Sequence, residues 1–504
     1  MKKYALLLLG LTIFFVGCNN DDNQIKNGET PTMNPGSTAI AQNFMWQAMN
    51  LWYFWQEDVP NLADDRFSSN DEYTSFLEAT ANPELFYYQI CNKHAALFGN
   101  QNSIDRFSFL NDDYTELVSN LSGVSKSNGL EFNLNYFQDG TNVFGYVLYI
   151  VPDSDASTKD IQRGDIFTRV NGQQLTGDNY VSLLFGNNDT YTLGMADIVD
   201  NQIVDNDTEV TLTKITNQVE NPILVAKTLD INGTKIAYLM YNRFLGNFNE
   251  QLNAAFGQFV DAGATELVLD MRYNPGGSVN TSRLLASMVY GTNTNELYIR
   301  QRWNDKIQDQ LSASQLEDYF ANTTGASAIN TLNLDRVFIL ATNDSASASE
   351  LVMNGLAPYV EVIHIGGTTR GKNEFSITLV DDPENSFIYD EDREGNINPQ
   401  NSWGIQPLVG RNENADGFFD YTNGLTPDIT LNEDLTNLGV LGDPNEPLLA
   451  RAIDEITGAG AKRSFSVQMA AKSFASSRLQ TPLRDNMYLD KPLNVDIELT
   501  NPWE

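Results

Sequence analysis

The chain has 504 residues, more than one hydrophobic core organises, so several domains are expected. Hydrophobic residues make up 41% and aromatic residues 11%, the content of packed globular protein rather than of a largely disordered chain. Against 31 lysine and arginine stand 66 aspartate and glutamate, a formal net charge of -35 that repels phosphate backbones and argues against nucleic acid as a partner.

In chain order, Met1-Lys2-Lys3 leads into an apolar run from Ala5 to Val16 and then Gly17-Cys18. A charged start, an apolar stretch too short to span a bilayer and a small residue before cysteine resemble a bacterial lipoprotein signal. The resemblance implies removal of residues 1–17 and acylation of Cys18, although Phe15 stands where leucine is commoner. Asn19-Asn20-Asp21-Asp22 resemble the surface-export signal of Bacteroidetes lipoproteins. An outer-membrane lipoprotein exposed at the cell surface is therefore expected, with a periplasmic face as the alternative. No later stretch reaches eighteen apolar residues, so the acyl chains would be the only membrane anchor. Cys91 has no disulfide partner once Cys18 is lipidated, and two histidines, His94 and His364, leave no basis for a zinc site.

Residues 18–38 are polar, with Pro31, Pro35 and Gly36, and read as a tether. Over 39–122 the apolar positions Phe44, Ala48, Trp52 and Trp55 recur at helical spacing and predict a small, mostly helical N-terminal domain. From Gly123 the pattern changes to short alternating runs, Gly129 to Leu134 and Gly145 to Ile150, which read as strands. They are followed by Arg163-Gly164-Asp165, the run Ile166 to Val170, and Asn171-Gly172. That order resembles a bacterial PDZ domain, here over 123–222, and the resemblance implies that a peptide adds as a strand to it. Its terminal carboxylate would be held by the loop at Gly129 and Leu130, where Gly129 is free to take unusual dihedrals.

Over 223–457, apolar strands at Ile236–Met240, Leu267–Met271, Val337–Thr342 and Val360–Ile365 alternate with helices predicted at 248–262, 278–290 and 347–357. The tail, 458–504, carries no readable motif. The fold class expected is α/β multidomain.

The chemistry concentrates at strand ends. The strand to Thr342 runs into Ser345-Ala346-Ser347-Ala348-Ser349-Glu350 at a helix start, where N–H groups converge. Ser347 and Glu350 alone fit a capping box. The next strand ends in Gly366-Gly367-Thr368-Thr369-Arg370-Gly371-Lys372, and an earlier one in Asp270-Met271-Arg272-Tyr273-Asn274-Pro275-Gly276-Gly277. Together these segments resemble the C-terminal-processing (tail-specific) peptidases of family S41 over roughly residues 123–455. The resemblance implies a ClpP/crotonase-like α/β catalytic domain with Ser347 as nucleophile and Lys372 as general base. Their separation of 25 residues matches the family, whereas Ser345 and Ser349 miss it by two.

Such a dyad needs a lysine desolvated enough to accept a proton, and no histidine, metal or cofactor. Oxyanion donors are expected from the N–H groups of Ala348 and of Gly276, with Gly277 next. Family members often carry a glutamine four residues after the lysine to orient it; here that position is Ser376, so Ser376 or Glu374 is the candidate in its place. Asp390 to Gly395 looks briefly like a calcium loop but has Asn401 where a bidentate glutamate is required. The expected activity is endopeptidase action on unfolded or C-terminally recognised polypeptides. The alternative is a catalytically inactive, peptide-binding surface lipoprotein.

Overall fold

The structure is a computed structural model that describes residues 25, 30–458, 465–471, 473–480 and 486–490. The signal segment, Cys18 and the first part of the tether lie outside the described residues.

The N-terminal region is helical as expected, and three of its helices start on Ser, Asn or Asp side-chain caps. Ser69 accepts from Glu72 N–H ahead of Asn70–Glu78, Asn82 from Leu85 N–H ahead of Pro83–Gln89, and Asp113 from Thr115 N–H ahead of Tyr114–Leu121. The helix Ile40–Trp52 buries Phe44, Met45, Ala48, Met49 and Trp52. That stripe has no core of its own. It belongs to one apolar cluster with Leu239, Val337 and Leu351 of the α/β region, and Trp52 Nε1 donates to the Ser386 carbonyl at 2.7 Å.

A β domain follows. Its sheet runs Leu130–Tyr136, Val143–Ile150, Ile166–Val170, Thr190–Val199, Gln202–Thr213, antiparallel throughout, around a core that includes Leu134, Val147, Phe167 and Leu193.

The α/β region is built on a six-stranded sheet ordered Ile223–Ile231, Thr234–Tyr241, Glu266–Asp270, Arg336–Ala341, Glu361–Gly366, Ile429–Thr430. The first pair is antiparallel and the rest are parallel. Helices Asn249–Asp261, Val279–Val289 and Ala348–Leu356 fall where the sequence predicts them. Burial on both faces explains the unbroken apolar strands. In Thr234–Tyr241, Ala237, Leu239 and Tyr241 face the helical core, while Ile236, Tyr238 and Met240 face a second core with Leu448, Leu449 and Phe144. All nine residues of Ala348–Leu356 are buried, so this helix is a core element rather than an amphipathic surface one.

A further sheet runs Gly277–Ser278, Met487–Tyr488, Glu374–Ser376, Leu408–Asn414, Leu297–Trp303, Glu317–Tyr319. Its second member comes from the tail, where the sequence shows no motif. The described tail residues also supply Ala475–Ser476, which pairs antiparallel with the β domain's Leu130–Tyr136 edge.

Candidate active site

Three turns meet at the carboxyl ends of adjacent parallel strands, the usual place for a site in such a sheet. They follow Glu266–Asp270, Arg336–Ala341 and Glu361–Gly366, and carry Gly276, Ser347 and Lys372 respectively.

The first turn is anchored from below by charge. Arg272 is fully buried and bonded to Asp270, Glu433 and Glu446, with Nη1 2.7 Å from Glu446 Oε1. The Tyr273 hydroxyl donates to Glu433 at 2.5 Å, and Arg163 of the β domain donates to Tyr273 at 2.7 Å and to Glu433 at 2.7 Å. Removing one partner would leave a buried charge uncompensated, which fixes the turn. Asn274 then ties the turns together: its carbonyl accepts from Ala346 N–H and Ser349 Oγ, and its side chain donates to the Tyr241 carbonyl.

The three serines of the second turn are not equivalent. Ser345 Oγ donates to the Met271 carbonyl at 2.8 Å and Ser349 Oγ to the Asn274 carbonyl at 2.9 Å. Ser347 Oγ, equally buried, has no partner of regular hydrogen-bond geometry. Ser347 also holds φ at 65° and ψ at -115°, a backbone state that costs on the order of 1–3 kcal/mol for a non-glycine residue and persists where surroundings enforce it. Gly276 makes room for this: a Cβ there would lie 2.6 Å from Ser347 Cβ, and its φ is 113°.

Ser347 does share a capping box with Glu350, so the helix-start reading and the nucleophile reading coexist. The carboxylate does more than cap. Glu350, fully buried, accepts from Ser347 N–H at 2.8 Å, Lys372 N–H at 2.9 Å, Gly371 N–H at 2.7 Å and Thr369 Oγ1 at 2.5 Å. It joins the serine turn to the lysine turn directly. Burial pushes its carboxyl up to about 7 against those four donors.

Lys372 is fully buried, the condition that a proton-accepting lysine requires. Part of its wall comes from the N-terminal region: Nζ stands 5.1 Å from the centre of the Phe107 ring. Arg106 pins that segment by donating to the carbonyls of Gly371 and, at 3.0 Å, Thr422. Asp105, itself buried, accepts from Tyr53 at 2.7 Å and from Ser108 N–H at 2.9 Å.

Several expected roles change. Gly276 N–H donates to Asn274 Oδ1 at 2.9 Å, so that group is spent inside the turn and Gly277 and Ala348 are the remaining donor candidates. The role of Gly276 is close approach. Ser376 Oγ contacts Asn486 Oδ1 at 2.7 Å and the Met487 carbonyl at 3.2 Å, which directs it at the tail rather than at the lysine. Glu374 is buried with Oε2 unbonded; burial raises its pKa, and the charges of Lys372 and Arg106 oppose the rise. It is the better placed of the two to act on Lys372. In the β domain, Gly129 N–H donates to Ser127 Oγ and Leu130 N–H to Asn128 Oδ1, both at 3.0 Å, so the expected carboxylate donors are occupied within their own loop. His364 stands with its ring nitrogen 3.3 Å from the Ala341 carbonyl.

Sequence reasoning saw Glu350 only as a cap and missed Phe107, Arg106 and the tail. The spacing of Glu350 three residues after the serine was the one signal available for it.

The sequence model of peptidase family S41 matches residues 235–430, and that of the S41 N-terminal domain matches 41–109. The chain is 28% identical over 279 residues to the chloroplastic carboxyl-terminal-processing peptidase 1 of Arabidopsis thaliana, covering 52% of each protein. It is 25% identical over 230 residues to a CtpA-like serine protease of Staphylococcus epidermidis, covering 44% of this chain and 40% of that one. The chain thus spans about half the length of the curated relatives it matches. The crystal structure of an S41 protease from Bacteroides fragilis superposes with a TM-score of 0.62 at 26% identity, over 86% of this chain and 100% of that one. An α/β sheet with serine and lysine turns at neighbouring strand ends, preceded by the family's N-terminal domain, defines the class. The chain carries a peptidase family S41 domain behind an S41 N-terminal domain.

Proposed function

We propose that this chain is a serine endopeptidase that cleaves extended polypeptides through an acyl-enzyme on Ser347, with Lys372 as general base. The observation that carries this is the contrast within the second turn, where Ser345 and Ser349 are bonded to backbone carbonyls and Ser347 Oγ is not.

Ser347 Oγ attacks the scissile carbonyl while its proton passes to Lys372 Nζ. The oxyanion is received by the N–H groups of Ala348 and Gly277, at the start of a buried helix. Collapse of the tetrahedral intermediate breaks the C–N bond, and the lysine returns the proton to the departing amine. Water, deprotonated by the same lysine, attacks the ester and frees Ser347. Glu350 holds the two turns in register throughout, and Glu374 supplies the acidic neighbour of the lysine. No metal or cofactor enters the scheme.

The β domain fits a PDZ-like guide that takes a polypeptide as an added strand. The likeness of residues 1–22 to a lipoprotein signal supports placement at the outer membrane through Cys18.

A fluorophosphonate probe tests the assignment. Tryptic mass spectrometry is expected to find the adduct on Ser347, absent from Ser347→Ala and slowed in Lys372→Ala. An adduct on Ser345 or Ser349, or labelling indifferent to Lys372→Ala, would overturn it.

A further inference from the structure

The strand Met487–Tyr488 lies between Gly277–Ser278 and Glu374–Ser376, parallel to both. Those flanking segments belong to the glycine turn and to the chain just beyond Lys372. Between them residues 486–490 are held by pairing and hydrogen bonds. Gly277 pairs with Met487 and Ser278 with Tyr488, and Leu489 N–H donates to the Ser376 carbonyl at 3.1 Å. The Ser278 hydroxyl donates to Asp490 at 2.6 Å, and the Tyr488 hydroxyl to the Leu121 carbonyl at 3.1 Å. Met487 is fully buried, in one apolar cluster with Phe375 and Ile377.

This strand lies against the glycine turn that carries Gly276 and Gly277. Asn486 and Tyr488, with Pro275, Gly276 and Gly277, line a cavity of about 10 Å³, room for about one water and none for a peptide carbonyl. Ser347, which packs against Gly276, is fully buried. A larger cavity of about 590 Å³, which shares Leu121 and Tyr488 with the first, is lined also by Leu489, Asp490, Ile377 and Ile388.

The tail also covers a second strand edge. Ala475 and Ser476 pair with Leu134 and Asn133, Phe132 N–H donates to Ser477 Oγ at 2.9 Å, and Ser477 Oγ donates to Glu131 at 2.5 Å. Strand addition to a sheet edge is how an extended peptide is taken up. Here the chain's own C-terminal region makes both additions.

We infer that the slot between Gly277–Ser278 and Glu374–Ser376 is the binding site for an extended polypeptide with a buried apolar side chain, and that residues Asn486–Asp490 occupy it as an internal competitor. The inference rests on the proposed peptidase function. The full chain is a latent form, and displacement of this segment exposes Ser347.

The test uses full-length chains. Met487→Asp places a charge in the apolar slot, Leu489→Pro removes the N–H bonded to Ser376, and Asp490→Ala is a mild change that leaves the core intact. Fluorophosphonate labelling of Ser347 and hydrolysis of unfolded casein are both measured, with folding checked by circular dichroism. The first two variants are expected to accelerate both reactions about tenfold or more, and Asp490→Ala about threefold, through a shift toward the open state. A synthetic Asn-Met-Tyr-Leu-Asp peptide should slow the released forms. Folded variants that react no faster than a Ser347-active parent would overturn the inference while leaving the peptidase reading intact. If no chain labels at Ser347 or cleaves casein, the peptidase reading falls and the inference with it.

Discussion

The backbone N–H of Ser347 and the backbone N–H of Lys372, which belong to turns on neighbouring strands, donate to the same carboxylate oxygen, Glu350 Oε2, at 2.8 and 2.9 Å. The candidate nucleophile and base are thus positioned by a shared buried acceptor rather than by their side chains alone. Glutamine in that place would set an amide N–H against one of the donors. Glu350→Gln is expected to cost about 2–4 kcal/mol of stability, since buried donors lose their acceptor, and to lower the rate of Ser347 labelling about 100-fold through misalignment. Urea unfolding and labelling kinetics check the two effects separately.

The same residue predicts a pH dependence. Burial lifts the Glu350 carboxyl to about 7 in the folded chain from its ordinary 4.5. The native state therefore keeps a proton that the unfolded chain has released, so this contribution is fully present below pH 4.5 and is lost as pH rises through 7. Between pH 4.5 and 7.5 the parent should lose on the order of 3 kcal/mol relative to Glu350→Gln, which cannot ionise. Parallel urea midpoints for the two chains across that window would show it; equal slopes would contradict it.

The serine turn offers a contrast between stability and activity. Ser345→Ala and Ser349→Ala each remove a buried hydrogen bond and should cost about 1 kcal/mol while Ser347 remains the labelled residue. Ser347→Ala removes the side-chain half of a capping box and should cost about 0.5–2 kcal/mol while abolishing labelling. Thermal denaturation and adduct mapping on the three variants suffice.

Gly276→Ala would put a methyl group 2.6 Å from Ser347 Cβ in a backbone with φ of 113°. The expected result is a stability loss of about 1–3 kcal/mol and a labelling rate at least about 100-fold lower. Unchanged kinetics would mean that the glycine turn does not set the position of Ser347.

Much of this site could be read from sequence because its parts are local. Strand-turn-helix punctuation marked the serine turn, the resemblance to the S41 peptidases supplied Lys372 and the 25-residue interval that chose Ser347 among the serines, and apolar periodicity placed the helices at 249–261, 279–289 and 348–356 within a residue or two. What escaped was made by pairing across distance. Glu350 reaches Lys372 only because parallel strands bring their carboxyl ends together, and nothing in a capping box announces a second partner. Gly276 looked like a free donor because the Asn274 side chain that takes its N–H is invisible to a motif. Met487–Tyr488 has two residues and no periodicity, so its place in a sheet depends on Gly277 and Ser376 rather than on its own pattern.

Phe107 shows how far the N-terminal region contributes to the site. Its ring walls the Lys372 amine, with Nζ 5.1 Å from the ring centre. Phe107→Ala should reduce kcat about tenfold at neutral pH with little change in KM, and Phe107→Leu should restore most of it.

Hydrolysis of unfolded casein by the purified chain and its Leu489→Pro form, each beside Ser347→Ala and Lys372→Ala, tests the central claim most directly. Cleavage is expected to disappear with either substitution in both backgrounds. Cleavage that survives Ser347→Ala would contradict it.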